Sequence, residues 1–344
     1  MSNDSATQET VLVTGGTGFL ASWVIARLLS KGFRVRTTIR DEANADRVRA
    51  AVAEEVGTER AAGVEFAVAD LMSDEGWDAA VGGVDYVMHT ASPLGTARDQ
   101  DLIRTARQGT RRILEAADRA RVKRVVLTSS GVTAVPADRT KSADTSVWAA
   151  PSGDPARAYD DSKILAERDA WAIAAHSGFE LVVVLPTFLQ GPVLGRPDPN
   201  GSSQIIRLLL TGGLPAIPNL GWDVVDVRDV ADLHVLAVTT PEAAGQRLLG
   251  GSGRFLWWKD MAEILRTSMP EYAKKIPART MPDLVVRVLA IFNGQMKLMR
   301  PRVGRRTNVD TSRTRALVAW EARRTAQETI LDTAMSLISK GAVG

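Results

Sequence analysis

Short apolar runs alternate with helix-like segments through roughly the first 190 residues, and this constrains the fold more than any other feature of the chain. The runs are TVLVT (Thr10 to Thr14), FRVRTTI, VEFAVAD, VDYVMHT, VKRVVLTSS and FELVVVLPT. Most are apolar at successive positions rather than at every second one. A strand of that kind is buried on both faces, which is the habit of parallel sheets covered by helices. The intervening segments, such as GFLASWVIARLLSKG, NADRVRAAVAEEVG and DLIRTARQGTRRILEAADRARV, place apolar residues at helical spacing. Right-handed crossovers then give a doubly wound α/β sheet with helices on both faces.

In such a sheet, ligands bind outside the carboxyl ends of the strands. One crevice should therefore collect Gly15 to Leu20, Arg40, Asp70, Thr90 to Pro93, Ser129 and Ser130, and Pro186 to Gly191. The stretch VLVTGGTGFLASW sets glycines between the first strand and its helix. Gly15 and Gly18 let the backbone approach a pyrophosphate, and the helix N-terminus offers free N–H groups to that anion. Ala21 stands at the third small position of the pattern, where close helix–sheet packing is the need. This is the dinucleotide cradle of a Rossmann-type unit, with Thr17, Phe19 and Leu20 as further contacts. At the end of the second strand stands Arg40, 22 residues after Gly18, with Arg47 beyond it. A guanidinium fork suits a 2′-phosphate, so NADP is the expected cofactor; Asp41 keeps NAD possible.

The pair Tyr159 and Lys163 in ARAYDDSKILAE lies on one face of a helix. A phenol with its ordinary pKa near 10 is a slow proton shuttle at neutral pH, and a nearby ammonium is expected to lower it. Ser130, or its neighbour Ser129, can hold a substrate carbonyl oxygen against the tyrosine. Donors there stabilise the charge that hydride transfer leaves on that oxygen.

These segments together resemble an extended short-chain dehydrogenase/reductase, of the NAD(P)-dependent epimerase/dehydratase family and its dihydroflavonol-reductase-like branch. The resemblance rests on VTGGTGFLASW, RTTIRDEAN, ADL at 69–71, DYVMHTASP, KRVVLTSS, YDDSK, LPTFLQGP, DVVDVRDVADLHVLA and, late in the chain, DTSRTRALVAWEARR. It implies that Asp70 and Leu71 flank an adenine and that Thr90, Ala91 and Ser92 line the middle of the cofactor. It also implies Tyr159 as general acid, Lys163 on the nicotinamide ribose, and Pro186 and Thr187 against the nicotinamide. Thr128 and Leu189 complete the expected cofactor set. NADPH-dependent reduction of a small ketone or aldehyde is the leading expectation. A nucleotide-sugar epimerase or dehydratase, a 3β-hydroxysteroid-type dehydrogenase using NAD, and a non-catalytic NADP sensor are the alternatives. The stretch from Gly131 to Ala158 is unlike the plant flavonoid enzymes, so the resemblance names no substrate. Monomer or homodimer is expected.

Composition excludes other classes. The 344 residues contain no cysteine, so disulfides and thiolate chemistry are absent, and His89, His176 and His234 have no metal-ligand spacing. No metal is expected. A net charge of +3 argues against a nucleic-acid partner, and the basic residues from Lys297 to Arg315 read as a solvated surface. No apolar run spans a bilayer and the start lacks a signal-peptide plan, so a cytoplasmic protein with no membrane partner is expected. The segment DLVVRVLAIFNGQMKLM is expected to pack on the core, and the tryptophans at 148, 222, 257 and 258 in a second lobe. The main domain is expected over 1–187, with 222–245 returning to it. A smaller discontinuous substrate lobe takes 188–221 and 246–344, where RLLGG reads as irregular.

Overall fold

The computed structural model describes residues 8–93, 99–138, 140–198, 201–292 and 299–343. Each of the six apolar runs forms a strand: β1 (Thr10–Val13), β2 (Arg34–Ile39), β3 (Glu65–Val68), β4 (Tyr86–His89), β5 (Arg124–Thr128) and β6 (Glu180–Pro186). Three short strands follow: β7 (Phe188–Gln190), β8 (Ile217–Pro218) and β9 (Gly221–Asp226). The last three are β10 (Arg247–Gly250), β11 (Phe255–Trp257) and β12 (Thr280–Met281). The main sheet runs β10-β6-β5-β4-β1-β2-β3, and every pairing in it is parallel. Strand order reverses between β1 and β4, which opens the crevice there.

The pleat explains the continuous apolar runs. Val11 and Val13 face one core with the helices Phe19–Ser30, Ala45–Val56 and Val227–Thr239, while Leu12 faces the other with Asp99–Arg119 and Ala158–Ala174. On β6, Val182 and Val184 join the first core and Leu181, Val183 and Leu185 the second. Each fully buried aliphatic side chain is worth about 1.5–3 kcal/mol. A third core gathers Ile206, Leu209, Trp258, Met261, Ile330 and Leu337 from the later helices.

The later chain corrects three readings. RLLGG is not irregular: Arg247–Gly250 is the seventh strand of the main sheet, parallel to β6. Its four residues are too few to show a period, and all are buried. Its outer edge is covered from the helix Ser312–Val318, where Thr314 Oγ1 accepts from Leu249 N at 2.8 Å, and Trp320 beyond that helix enters the first core. The segment 222–245 divides: its helix packs on the first core, while β9 pairs with β7 and β11 outside the main sheet. The helix Asp283–Phe292 is not packed on the core as a whole. Val286 and Ala290 are buried, but Leu284 (71%) and Ile291 (74%) stand exposed, with Val288 and Leu289. Its sequence is apolar nearly all round, so one stripe meets the core and the rest faces outward. Residues 293–298, including Lys297 of the basic run, lie outside the described residues, as do 94–98 and 199–200. Among the described residues no helix is long and apolar enough to cross a membrane, and no cluster of potential metal ligands occurs.

Candidate active site

The cradle forms from the turn after β1. Gly15 has φ +74°, and a Cβ there would lie 3.0 Å from Ala91 Cβ. Gly16, which the sequence reading passed over, is held more tightly: a Cβ would meet Thr37 Oγ1 at 2.4 Å. A Cβ on Gly18 would meet Gly15 O at 3.1 Å. The N–H groups of Gly15, Gly16 and Gly18 are used inside the turn, by Thr38 Oγ1, Thr38 O and Gly15 O, all at 2.9 Å. The first helical N–H groups, from Phe19 and Leu20, have no intrahelical acceptor, and Gly18 offers no side-chain cap. They are left for an anion. Thr17 lies on the exposed rim.

β2 ends at Ile39, so Arg40 stands exposed at its carboxyl end and pairs with no carboxylate among the described residues. Asp41 is occupied, since its Oδ1 accepts from Ala43 N at 2.9 Å and caps the next turn. Asp70 also shapes its own turn, accepting from Met72 N at 2.8 Å.

At the end of β4 the backbone is pinned. Thr14 Oγ1 accepts from Ala91 N at 3.0 Å and lies 2.8 Å from His89 Nδ1, and Thr90 Oγ1 donates to Thr14 O at 2.6 Å. Burial, and then the charge of Lys163, hold the His89 pKa down to about 3, so it is a neutral structural residue. His234 is neutral too, pushed down to about 4 by burial; it donates from Nδ1 to Val230 O and faces Thr128 Oγ1 through Nε2 at 2.9 Å. Leu71, Ala91, Ser92, Thr128 and Lys163 line one narrow crevice. Pro186 ends β6 and Thr187 follows it. Gly131, one residue past Ser130, is so near them that a Cβ would lie 3.3 Å from Pro186 O. Thr187 is fixed by donating to Asp223 Oδ1 at 2.8 Å, which also accepts from Ser252 N at 2.9 Å. Burial pushes the Asp223 carboxyl up against these hydrogen bonds. Leu189 on β7 leans on the first core.

The structure separates the two serines. Ser130 is the polar neighbour of the Tyr159 phenol and favours its phenolate form. Ser129 Oγ donates away from it, to Glu167 Oε2 at 2.7 Å. Tyr159 and Lys163 occupy the first two turns of the helix Ala158–Ala174, whose start is anchored by its acids. Asp161 accepts from Ser152 N and Gly153 N, each at 2.8 Å, and Asp160 pairs with Arg157 and Arg302. The expected depression of the phenol by Lys163 is not what this structure holds. Burial raises the Tyr159 pKa, opposed by Ser130 and by Arg302. Lys163 is itself pushed down to about 8 by burial, with Glu167 opposing, and its Nζ donates to Thr128 O at 3.3 Å.

Glu167 was not singled out from sequence, although it continues the Tyr159–Lys163 stripe by one more turn. It forms a buried pair with Arg247 Nε at 2.7 Å. Trp148, expected in the second lobe, lies instead against Arg247 and Trp171. Trp222 stacks on Phe188 and Trp258 sits in the third core.

A model of the NAD dependent epimerase/dehydratase family matches residues 11–249, the span that holds the cradle, Ser130, Tyr159 and Lys163. The chain is 35% identical to tetraketide alpha-pyrone reductase 2 of Arabidopsis thaliana over 282 residues, 76% of this chain and 83% of that one. It is 37% identical to cinnamoyl-CoA reductase 1 of the same plant over 271 residues, 77% of this chain and 76% of that one. Its fold matches yeast methylglyoxal/isovaleraldehyde reductase complexed with NADPH, with a TM-score of 0.78, 27% identity and coverage of 97% of this chain and 100% of that one. Fold, motif order and these likenesses agree: the chain belongs to the NAD dependent epimerase/dehydratase family.

Proposed function

We propose that the protein reduces a ketone or aldehyde to an alcohol with NADPH, using Tyr159 as the proton donor. The chain is an NAD(P)-dependent oxidoreductase by family, and the relatives named above are reductases. The observation that carries the finer reading is that Ser130 is the polar neighbour of the Tyr159 phenol, with Lys163 one turn along the same helix. The bound nicotinamide supplies the hydride. Ser130 and Tyr159 hold the carbonyl oxygen, and the Tyr159 proton passes to it as the alcohol forms. Because burial raises the phenol pKa, the protonated form that reduction needs prevails at neutral pH. Lys163 would take the ribose hydroxyls, while Thr90, Ala91, Ser92 and Thr128 line the middle of the cofactor. Pro186 and Thr187 would abut the ring, Leu189 behind them. Asp70 and Leu71 would flank the adenine.

The phosphate end supports NADPH over NADH. Asp41, the one acid placed to take ribose hydroxyls, is occupied as a cap, whereas Arg40 and Arg47 are exposed and unpaired among the described residues. Arg40→Ser should raise KM for NADPH about tenfold, the worth of a charge-assisted hydrogen bond, and leave NADH little changed. The test is cofactor oxidation by the purified protein against aromatic ketones, β-keto esters, aldehydes and diketones, with NADPH and NADH in parallel. Turnover with NADPH is the expected result. No turnover on any carbonyl despite bound NADPH would refute the reading.

A further inference from the structure

A second cleft opens at the edge of the main sheet, on the outer side of β10. It has a volume of about 420 Å³ and is walled by Thr145, Trp148, Trp171, Gln246, Arg247 and Arg313. It shares no lining residue with the crevice under Lys163. Arg247 stands at the amino end of β10, whereas the crevice lies at the carboxyl end, where Thr187 N donates to Gly250 O.

Three features of this cleft have no role in the Tyr159 site. The first is its aromatic wall. Trp148 and Trp171 meet edge to face, with centroids 6.3 Å apart and planes at 72°. Arg247 Cζ lies 4.1 Å from the Trp148 centroid and occupies one face of that ring, yet Trp148 remains 48% exposed. The second is a pair of donors without acceptors. Thr145 is only 6% exposed, and neither its Oγ1 nor Trp171 Nε1 has a hydrogen-bond partner in the protein. Buried polar groups are nearly always satisfied; both of these atoms are covered, so an outside acceptor satisfies them only if the wall shifts to admit it. The third is charge. Arg247 is neutralised by Glu167, but Arg313 donates to the neutral Gln246 Oε1 at 3.1 Å and pairs with no carboxylate among the described residues. The cleft therefore carries one uncompensated positive charge.

We propose that this cleft is a second ligand site, which takes a flat aromatic ring bearing a carboxylate. The ring stacks beside Trp148 and against Trp171. The carboxylate meets Arg313, and seating the ring shifts the wall so that an oxygen reaches the covered Thr145 hydroxyl and Trp171 N–H. The site is independent of the carbonyl reduced at Tyr159.

Calorimetric titration of the NADP-loaded protein with 2-naphthoate tests this. Saturable binding is expected, and the uncharged 2-naphthalenemethanol should bind at least tenfold more weakly. Trp148→Ala and Arg313→Gln should each weaken naphthoate about tenfold, while Tyr159→Phe leaves it unchanged. Thr145→Val keeps the shape and removes the orphan hydroxyl. It should melt no lower than the parent without naphthoate, yet gain less from its addition. That variant keeps the test decisive should Trp148→Ala fail to fold. No saturable binding, or binding that Arg313→Gln and Thr145→Val leave intact but Tyr159→Phe weakens, would overturn the proposal.

Discussion

Two buried cations lean on the helix Ala158–Ala174, and they are held in opposite ways. The Arg247 side chain is 4% exposed and fully partnered: Glu167 takes its Nε at 2.7 Å, Thr133 Oγ1 takes Nη2 at 2.9 Å, and the carbonyls of Thr145 and Val147 take Nη1. Lys163, one turn before Glu167 on the same helix, is 7% exposed, and one carbonyl at 3.3 Å is the only hydrogen bond its Nζ makes among the described residues. A charge that burial has desolvated and the protein has not re-partnered is held at a cost. The difference teaches which of the two is built for the fold and which for a ligand. Arg247 locks β10 to the helix and to the loop carrying Trp148. On the proposed function, Lys163 keeps donors in hand for the hydroxyls of a bound ribose.

Breaking the partnered cation should hurt stability most. Arg247→Met leaves the Glu167 charge buried with no cation paired to it and only the Ser129 hydrogen bond, with an expected loss of about 3–5 kcal/mol in denaturant unfolding. The folded fraction should still turn over. Lys163→Met should do the reverse, abolishing turnover while stabilising the nucleotide-free protein by up to about 3 kcal/mol at pH 7. Its pH dependence follows from the depressed amine. Below about pH 8 both folded and unfolded states hold the proton, and the folded state bears the full cost of the buried charge. Between about 8 and the ordinary value of 10.5 the unfolded chain holds more protons, so wild-type stability rises with pH and the gap to Lys163→Met closes. A gap that stays constant across that window would show that Lys163 is not destabilised by its charge. Ser129→Ala removes one hydrogen bond from a Glu167 that keeps its arginine. It should cost the least, about 1–2 kcal/mol by thermal melting, with kcat close to wild type. A large loss of kcat there would move the catalytic role from Ser130 to Ser129.

What was legible in the sequence was local. The six apolar runs, the helix between each pair, and the spacing of Tyr159 and Lys163 all follow from periods of a few residues, and the structure has each where the pattern put it. The crevice set was legible because the sheet rule gathers strand ends without knowing any contact. Gly16 was readable too, since GG after a strand asks why two are needed, but its reason lies on Thr37 of the neighbouring strand. Glu167 and Arg247 were not readable: eighty positions separate them, and a lone glutamate on a helix looks like surface. β10 was missed because four residues give no period, and the helix Asp283–Phe292 because an all-round apolar pattern does not say which stripe is covered. The pKa of Tyr159 was misjudged for a different reason. Spacing brings Lys163 onto the same helix face, but burial raises the phenol, and it is Ser130 and Arg302 that oppose it.

The central claim is that the Tyr159 hydroxyl delivers the proton to a carbonyl reduced by NADPH. Tyr159→Phe removes that one oxygen and leaves the ring that packs the crevice. Single-turnover oxidation of bound NADPH, with the best carbonyl of the panel, should slow by about 10²–10⁴-fold, while NADPH affinity stays within a small factor of wild type. An unchanged single-turnover rate in the variant would contradict the account.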